Sequence, residues 1–301
     1  MTTRRAELLL AGVIVARATS LLFSKLSMRS LTPFNLMALR FTLAFLVLAL
    51  LFHRCFRGIR LQTILRGALL GGGFFAVMTA ELFGLRLTSS STTSFLENTA
   101  IVWVPLLNAL LRRTRPGRRD LLCAGLSLGG VGLLTLQGGH LGLGAGEGLC
   151  ILSSLLYAGA ILLTDRLSRE DDPLLLGILQ VGFIGLFATA GTFLFETPRL
   201  PETGSEWAAI AMLALVCSCF GFTLQPVAQR RVSVEKAGMF CALNPLTAAA
   251  LGLLFLGERA TLTGILGAGL IGVGFLLRSL PQPLPRPHRR AAPEKCLRSV
   301  H

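Results

Sequence analysis

Long apolar runs alternate with short polar breaks from one end of this sequence to the other. A membrane-crossing helix needs about 20 mostly apolar residues, within a range of roughly 17–25. Ten stretches meet that need, at 8–24, 34–52, 64–84, 92–111, 121–137, 147–164, 174–194, 207–226, 237–256 and 261–279. Numbered in order, they are helices 1 to 10. The breaks between them are too short to hold a folded extramembrane domain. The pattern therefore predicts an all-α polytopic membrane protein with ten transmembrane helices. Only the segment from Pro281 onward is extended and polar. Its closely spaced prolines forbid a regular helix, and Arg286, Arg289, Arg290, Lys295 and Arg298 make it basic. Residues 281–301 are expected to form a disordered cytoplasmic tail, with binding to an anionic membrane surface as the alternative.

Composition agrees with that pattern. Of the 301 residues 52% are hydrophobic and only 15% charged, where a soluble domain carries about 25% charged residues. The mean hydropathy is +0.68. The formal charge is +14, which in a soluble chain would suggest nucleic acid. Here the basic residues sit between the apolar runs, so the charge reads as a topology signal and no nucleic-acid partner is expected. With the N-terminus placed inside, the inside segments hold 22 Lys and Arg and the outside segments 5. That imbalance predicts a multi-pass protein of the plasma (inner) membrane with both termini cytoplasmic, and it requires an even number of helices. Arg4 and Arg5 before an apolar run resemble a signal peptide, but Arg17 interrupts the run and no small-residue cleavage site follows Ser24. The seven cysteines are scattered, with no C-x-x-C pair, and predict neither disulfides nor a metal site.

An internal repeat organises the chain. At a shift of 140, Glu7 falls on Glu147, Thr32-Pro33 on Asp172-Pro173, Pro105 on Pro245, Gly129 on Gly269 and Gly132 on Gly272, without a gap. Residues 1–139 and 140–280 are thus expected to be two five-helix repeats. Five is odd, so the second repeat enters the membrane from the opposite side. Inverted repeats of this kind belong to secondary transporters, which bind substrate near the midplane between the halves.

The run from Asn244-Pro245 to Leu256-Gly257-Glu258, followed by the glycine-rich helix 10 (Gly264, Gly267, Gly269, Gly272, Gly274), resembles the end of the second repeat of EamA-type permeases of the drug/metabolite transporter superfamily. Ala38-Leu39-Arg40-Phe41 in helix 2 is similar to the first repeat of that family. The resemblance covers residues 7–279. It implies a ten-helix permease that moves small metabolites or amino acids, often outward. The chain departs from the family pattern at Arg112-Arg113-Thr114-Arg115, after helix 4, and at Ala16-Arg17 in helix 1.

A charged side chain at the bilayer centre costs at least about 2.5–3.5 kcal/mol on insertion scales, so it must face protein or a cavity. Arg17 lies ten residues into helix 1, and its repeat partner Tyr157 lies equally deep in helix 6. Together they are expected to face a central cavity, where the guanidinium could pair with a substrate carboxylate. The alternative is that Arg17 pairs with Glu81 or Glu97 and only ties helices together. Asn98, Trp103 and Asn244 complete the substrate-binding candidates, with packing as the alternative for Trp103. Arg40, Glu81, Glu97 and Asn98 fall in the outer third of helices 2, 3 and 4. Arg40 is expected to reach its head group to water. Glu97, and with it Glu81, are the candidates for coupling to protons, since a carboxylate in an apolar cavity binds a proton more readily. Asn108 and Gln180 are expected to hydrogen-bond between helices, and glycines 71–73, 125, 129, 267 and 269 to let helices approach closely.

No phosphate-binding loop and no H-E-x-x-H occurs, and no cofactor, metal or catalytic residue is expected. Gly125-Leu126-Ser127-Leu128-Gly129 matches a hydrolase motif, but it lies within a helix and no histidine falls in a span. The residues thus point to a secondary transporter of small metabolites or amino acids working by alternating access, with export favoured. Drug efflux, exchange of nucleotide sugars and an intramembrane enzyme are the alternatives. A small-molecule substrate, the bilayer and protons as coupling ion are the expected partners.

Overall fold

A computed structural model describes residues 2–135, 144–247, 250 and 262–279. The described residues are helical throughout their long segments and contain no strand. Helix 1 spans Thr3–Ala18 and Ser20–Ser27, helix 2 Pro33–Leu51, helix 3 Leu61–Leu87, and helix 4 Ser90–Asn98 with Ala100–Leu111. Helix 5 is Arg118–Thr135, helix 6 Ala145–Glu170, helix 7 Pro173–Phe195 and helix 8 Gly204–Gln229. Helix 9 begins with Val234–Phe240, and helix 10 is Leu262–Ser279. Seven of these are long and apolar enough to cross a membrane by length and composition, among the described residues. The remaining three are helices 5, 9 and 10. The 251–258 part of the family-like run, His140 and the 281–301 tail lie outside the described residues.

Packing follows the repeat. Helix 2 packs on helix 7, helix 5 on helix 10 and helix 4 on helix 9, each against its own counterpart. Helix 3 packs on helix 6 as helix 8 packs on helix 1, and helix 3 meets helix 7 as helix 8 meets helix 2. This exchange of partners is what a pseudo-two-fold axis between inverted halves requires. Helices 2 and 7 both open with proline, whose fixed φ suits the first helical position. The Asp172 side chain caps helix 7 by accepting from the amides of Leu174 and Leu175. Helix 2 is capped from the other repeat. Glu196, just past helix 7, accepts from the amides of Phe34 and Asn35 at 3.3 and 3.0 Å and from the Thr32 hydroxyl at 2.5 Å.

Several helices run past their apolar stretches, because charged ends such as Arg86 and Arg169 remain helical beyond the hydrophobic part. Helix 1 breaks at Thr19. There the carbonyl of Ala16 accepts from the Thr19 hydroxyl at 2.9 Å and the Cys217 thiol at 3.3 Å. Helix 4 breaks at Thr99, whose hydroxyl donates to the Leu96 carbonyl at 2.6 Å, and helix 9 turns at Cys241 and Ala242. Helix 8 widens into a π-helix over Leu213–Phe222.

Three packing expectations resolve differently. Asn108 does bond between helices, donating to Glu235 at 2.5 Å. Gln180 does not: it is fully buried and neither amide atom has a partner. Gly71 lies tight against helix 7, and Gly130 approaches the Gly267 carbonyl, but Gly125, Gly129 and Gly269 have open space beside them. Their lack of a side chain is not used for helix contact in this conformation.

Candidate functional site

Helices 1, 3, 4, 6, 8 and 9 enclose a central cavity of about 40 Å³. Arg17 projects into it from just before the break in helix 1. Its Nη1 donates to the Tyr157 hydroxyl at 3.0 Å and to Gln225 Oε1 at 2.7 Å. The guanidinium carbon also lies 4.3 Å from the Phe222 ring centroid and 5.1 Å from that of Tyr157. Gly221 makes room for the arginine stem: a Cβ there would lie 2.6 Å from Arg17 Cγ. No carboxylate is within ion-pairing distance of Arg17 among the described residues.

Glu81, Glu97, Asn98 and Asn244 line the same cavity. Glu97 Oε1, Asn98 Oδ1 and Asn244 Oδ1 are buried and lack hydrogen-bond partners. Asn98 is oriented by its amide, which donates to the Ser94 carbonyl at 2.6 Å. The wall thus offers one cation held by neutral partners, two carboxylates and two free amide oxygens. Trp103 is not part of it; its ring is half-buried and packs against the hydrophobic core.

Glu81, Glu97 and Asn98 share the wall of the Arg17 cavity, in helices that continue to Leu87 and start at Ser90, beyond the apolar stretches. Arg40 does not reach water. It is 0% exposed, donates to Ser218 at 3.2 Å and Ser20 at 3.1 Å, and lies over the Phe41 ring at 4.7 Å. It ties the Ser20–Ser27 part of helix 1 to the π-helix. Gln225 and Phe222 were not singled out from the sequence. Their counterparts at the repeat spacing are Leu85 and Leu82, so the repeat carries no signal for them.

Polar contacts close both ends of the molecule. On the side where helix 1 begins, Lys236 pairs with Glu7 at 2.7 Å, and Arg66 with Glu170 at 2.7 Å and Asp171 at 2.9 Å. Burial alone would raise the Asp171 carboxyl, but hydrogen bonds from Arg66 and Thr63 outweigh it and hold the carboxyl below the usual range. On the opposite side Lys25 donates to the carbonyls of Leu85 and Thr88 at 2.7 and 3.1 Å, and Thr88 to Glu147 at 2.6 Å. Every one of these contacts joins helix ends that strict alternation of direction puts on the same face. The cavity has room for roughly three water molecules.

Known proteins give the fold a context. The profile of the EamA-like transporter family matches residues 4–136 and again 144–280. A protein of Archaeoglobus fulgidus described as an uncharacterized transporter is 26% identical over 291 residues, covering 92% of this chain and 98% of its own. A second A. fulgidus protein with the same description is 24% identical over 91% of this chain and 86% of its own. The uncharacterized transporter YcbK of Bacillus subtilis is 27% identical over 43% of each chain. A solved crystal structure superposes with a TM-score of 0.74 at 19% identity, over 92% of this chain and 97% of the other, which supports the fold alone.

Proposed function

The chain belongs to the EamA-like transporter family, and from that premise we propose that this membrane transporter exports amino acids or closely related metabolites by alternating access. The observation that carries the reading is the charge layout of the central cavity. Arg17 provides a fixed cation for a carboxylate, and its neutral partners Tyr157 and Gln225 leave its charge unspent. Asn98 and Asn244 provide two unpartnered amide oxygens, acceptors for the N–H donors of an ammonium. A zwitterion with both groups on one carbon suits such a wall. Glu81 and Glu97 serve as the proton-coupling carboxylates. The 22-to-5 distribution of Lys and Arg supports a plasma-membrane protein with both termini cytoplasmic.

The two cavity carboxylates also favour a second reading, efflux of lipophilic cations, which would use Glu81 and Glu97 and leave Arg17 idle. Counterflow in proteoliposomes separates the two. Under the first reading, labelled neutral amino acids exchange, and Arg17→Gln abolishes their exchange. Exchange of a lipophilic cation, unaffected by Arg17→Gln and without any amino-acid flux, would establish the second.

A further inference from the structure

A second and larger concavity, about 570 Å³, lies on the membrane-facing surface between helices 2 and 7, roofed by the segment that joins helices 7 and 8. Its volume falls within the roughly 300–1,000 Å³ of small-molecule sites. It does not touch the central cavity: the two share no lining residue. Asn35 marks its upper end, two residues after helix 2 begins, and Leu46 its lower end. The eleven helical steps between them rise about 16 Å, close to half of the roughly 30 Å hydrocarbon core. The groove therefore runs from one membrane interface to near the midplane, the depth of a single leaflet. Toward Leu46 its wall is aliphatic, and Leu46 there and Phe193 near the Asn35 end are 59% and 71% exposed, so the groove is open sideways.

The upper end is polar in a defined way. Asn35 is 4% exposed and its Nδ2 has no hydrogen-bond partner, at the level where glycerol ester carbonyls lie. Trp207, four residues into helix 8, stands at the same rim, a position where indole rings favour the interface. Above it Arg199 lines the groove and pairs with Glu202 at 2.6 Å. Both side chains are more than half exposed, so the rim presents a cation and an anion side by side. The phosphate of a lipid complements the first, and a primary ammonium complements the second.

We propose that this groove binds one phosphatidylethanolamine molecule from the leaflet opposite the N-terminus. One acyl chain lies along helix 2, an ester carbonyl accepts from Asn35 Nδ2, the phosphate meets Arg199, and the ammonium meets Glu202. A choline headgroup has no N–H to give to Glu202, and a glycerol headgroup has no cation.

Native mass spectrometry of the full chain, given equimolar phosphatidylethanolamine, phosphatidylcholine and phosphatidylglycerol with identical acyl chains, tests this. Phosphatidylethanolamine should be retained over each of the others by roughly fivefold, the upper range for an exposed ion pair. Glu202→Gln, on the exposed rim and free of any packing role, should bring that ratio to near one. Asn35→Leu should lower retention of all three lipids together. Equal retention of the three lipids by the unaltered protein, preference for phosphatidylglycerol, or an undiminished ethanolamine preference in Glu202→Gln would each overturn the proposal.

Discussion

Arg17 donates to the hydroxyl of Tyr157 at 3.0 Å, across a sequence separation of 140 residues that is also the spacing of the internal repeat. Two equivalent positions of the two halves thus meet in the wall of the central cavity. If the pair receives a substrate carboxylate, Arg17→Gln should weaken binding of carboxylate-bearing solutes by about 1.5–3 kcal/mol, the worth of a charged hydrogen bond. Tyr157→Phe should cost about 0.5–1.5 kcal/mol, one neutral hydrogen bond. Calorimetric titration of purified protein checks both, with thermal unfolding as control. A sharp fall in stability of Arg17→Gln with unchanged affinity would make the pair a helix tie.

Glu97 faces the same cavity with one oxygen buried and unpartnered. As the proton-coupling group, its replacement in Glu97→Gln should remove the stimulation of flux by a pH gradient and leave counterflow within about twofold of the unaltered protein, a change under about 0.5 kcal/mol. Equal loss of both activities in proteoliposomes would assign Glu97 to substrate binding or to packing.

Gly221 permits Arg17 its position, since a Cβ there would crowd Arg17 Cγ at 2.6 Å. That atom is near the base of the side chain and cannot swing aside without moving the guanidinium. Gly221→Ala should therefore reduce substrate affinity at least as much as Tyr157→Phe, with a loss of stability in the range of about 1–3 kcal/mol for overpacking. Unchanged affinity, measured by the same titration, would show that the cavity wall yields freely.

How far the site could be read from the sequence depended on what kind of signal each residue carries. Arg17 and Tyr157 stood out because each breaks an apolar run at a matching place in a repeat. Gln225 sits at the penultimate position of an apolar stretch, where a polar residue is ordinary, and its repeat counterpart is apolar. Hydropathy marks only the part of a helix that suits lipid, so the run of helix 3 to Leu87 and of helix 4 back to Ser90, and the convergence of Glu81 and Glu97 on one cavity, needed the structure. The order of the helices needed only run length. The breaks at Thr19 and Thr99 could not be seen, because a threonine hydroxyl bonds a carbonyl one turn back in unbroken helices as well, and the Cys217 thiol reaches Ala16 only once helix 8 is in place.

Asp171 gives a pH test on the face where the chain begins. Its carboxyl is held below the usual aspartate value by Arg66 and Thr63, so its contribution to stability is complete above about pH 3.9 and is lost as pH falls through its lower folded value. The carboxyl is partly buried and accepts from Arg66 and Thr63, so Asp171→Asn should cost about 1 kcal/mol at neutral pH, and the difference should shrink in acid. Thermal unfolding of both proteins between neutral and acid pH measures it; a gap that widens on acidification would contradict the ion pair.

Reporter fusions test orientation. Fusions after Arg60, Arg115 and Arg169 should report the cytoplasm, and one at Glu202 the opposite side. A cytoplasmic Glu202 would invert the assignment drawn from Lys and Arg.

The broken helix 1 and the π-turned stretch of helix 8 have unbroken α-helical counterparts in helices 6 and 3. Two identical halves would make an inward-facing carrier the outward-facing one turned over, and the empty protein would divide its time equally between them. The Thr19 break and the Leu213–Phe222 π-helix, joined through Ala16 and Cys217, are backbone differences between the halves that would lift such a degeneracy. An energy gap of only about 1.4 kcal/mol between the end states would keep roughly ten empty carriers facing one compartment for each facing the other. Which compartment loads the carrier first would then be decided by a kink and a widened turn in the backbone.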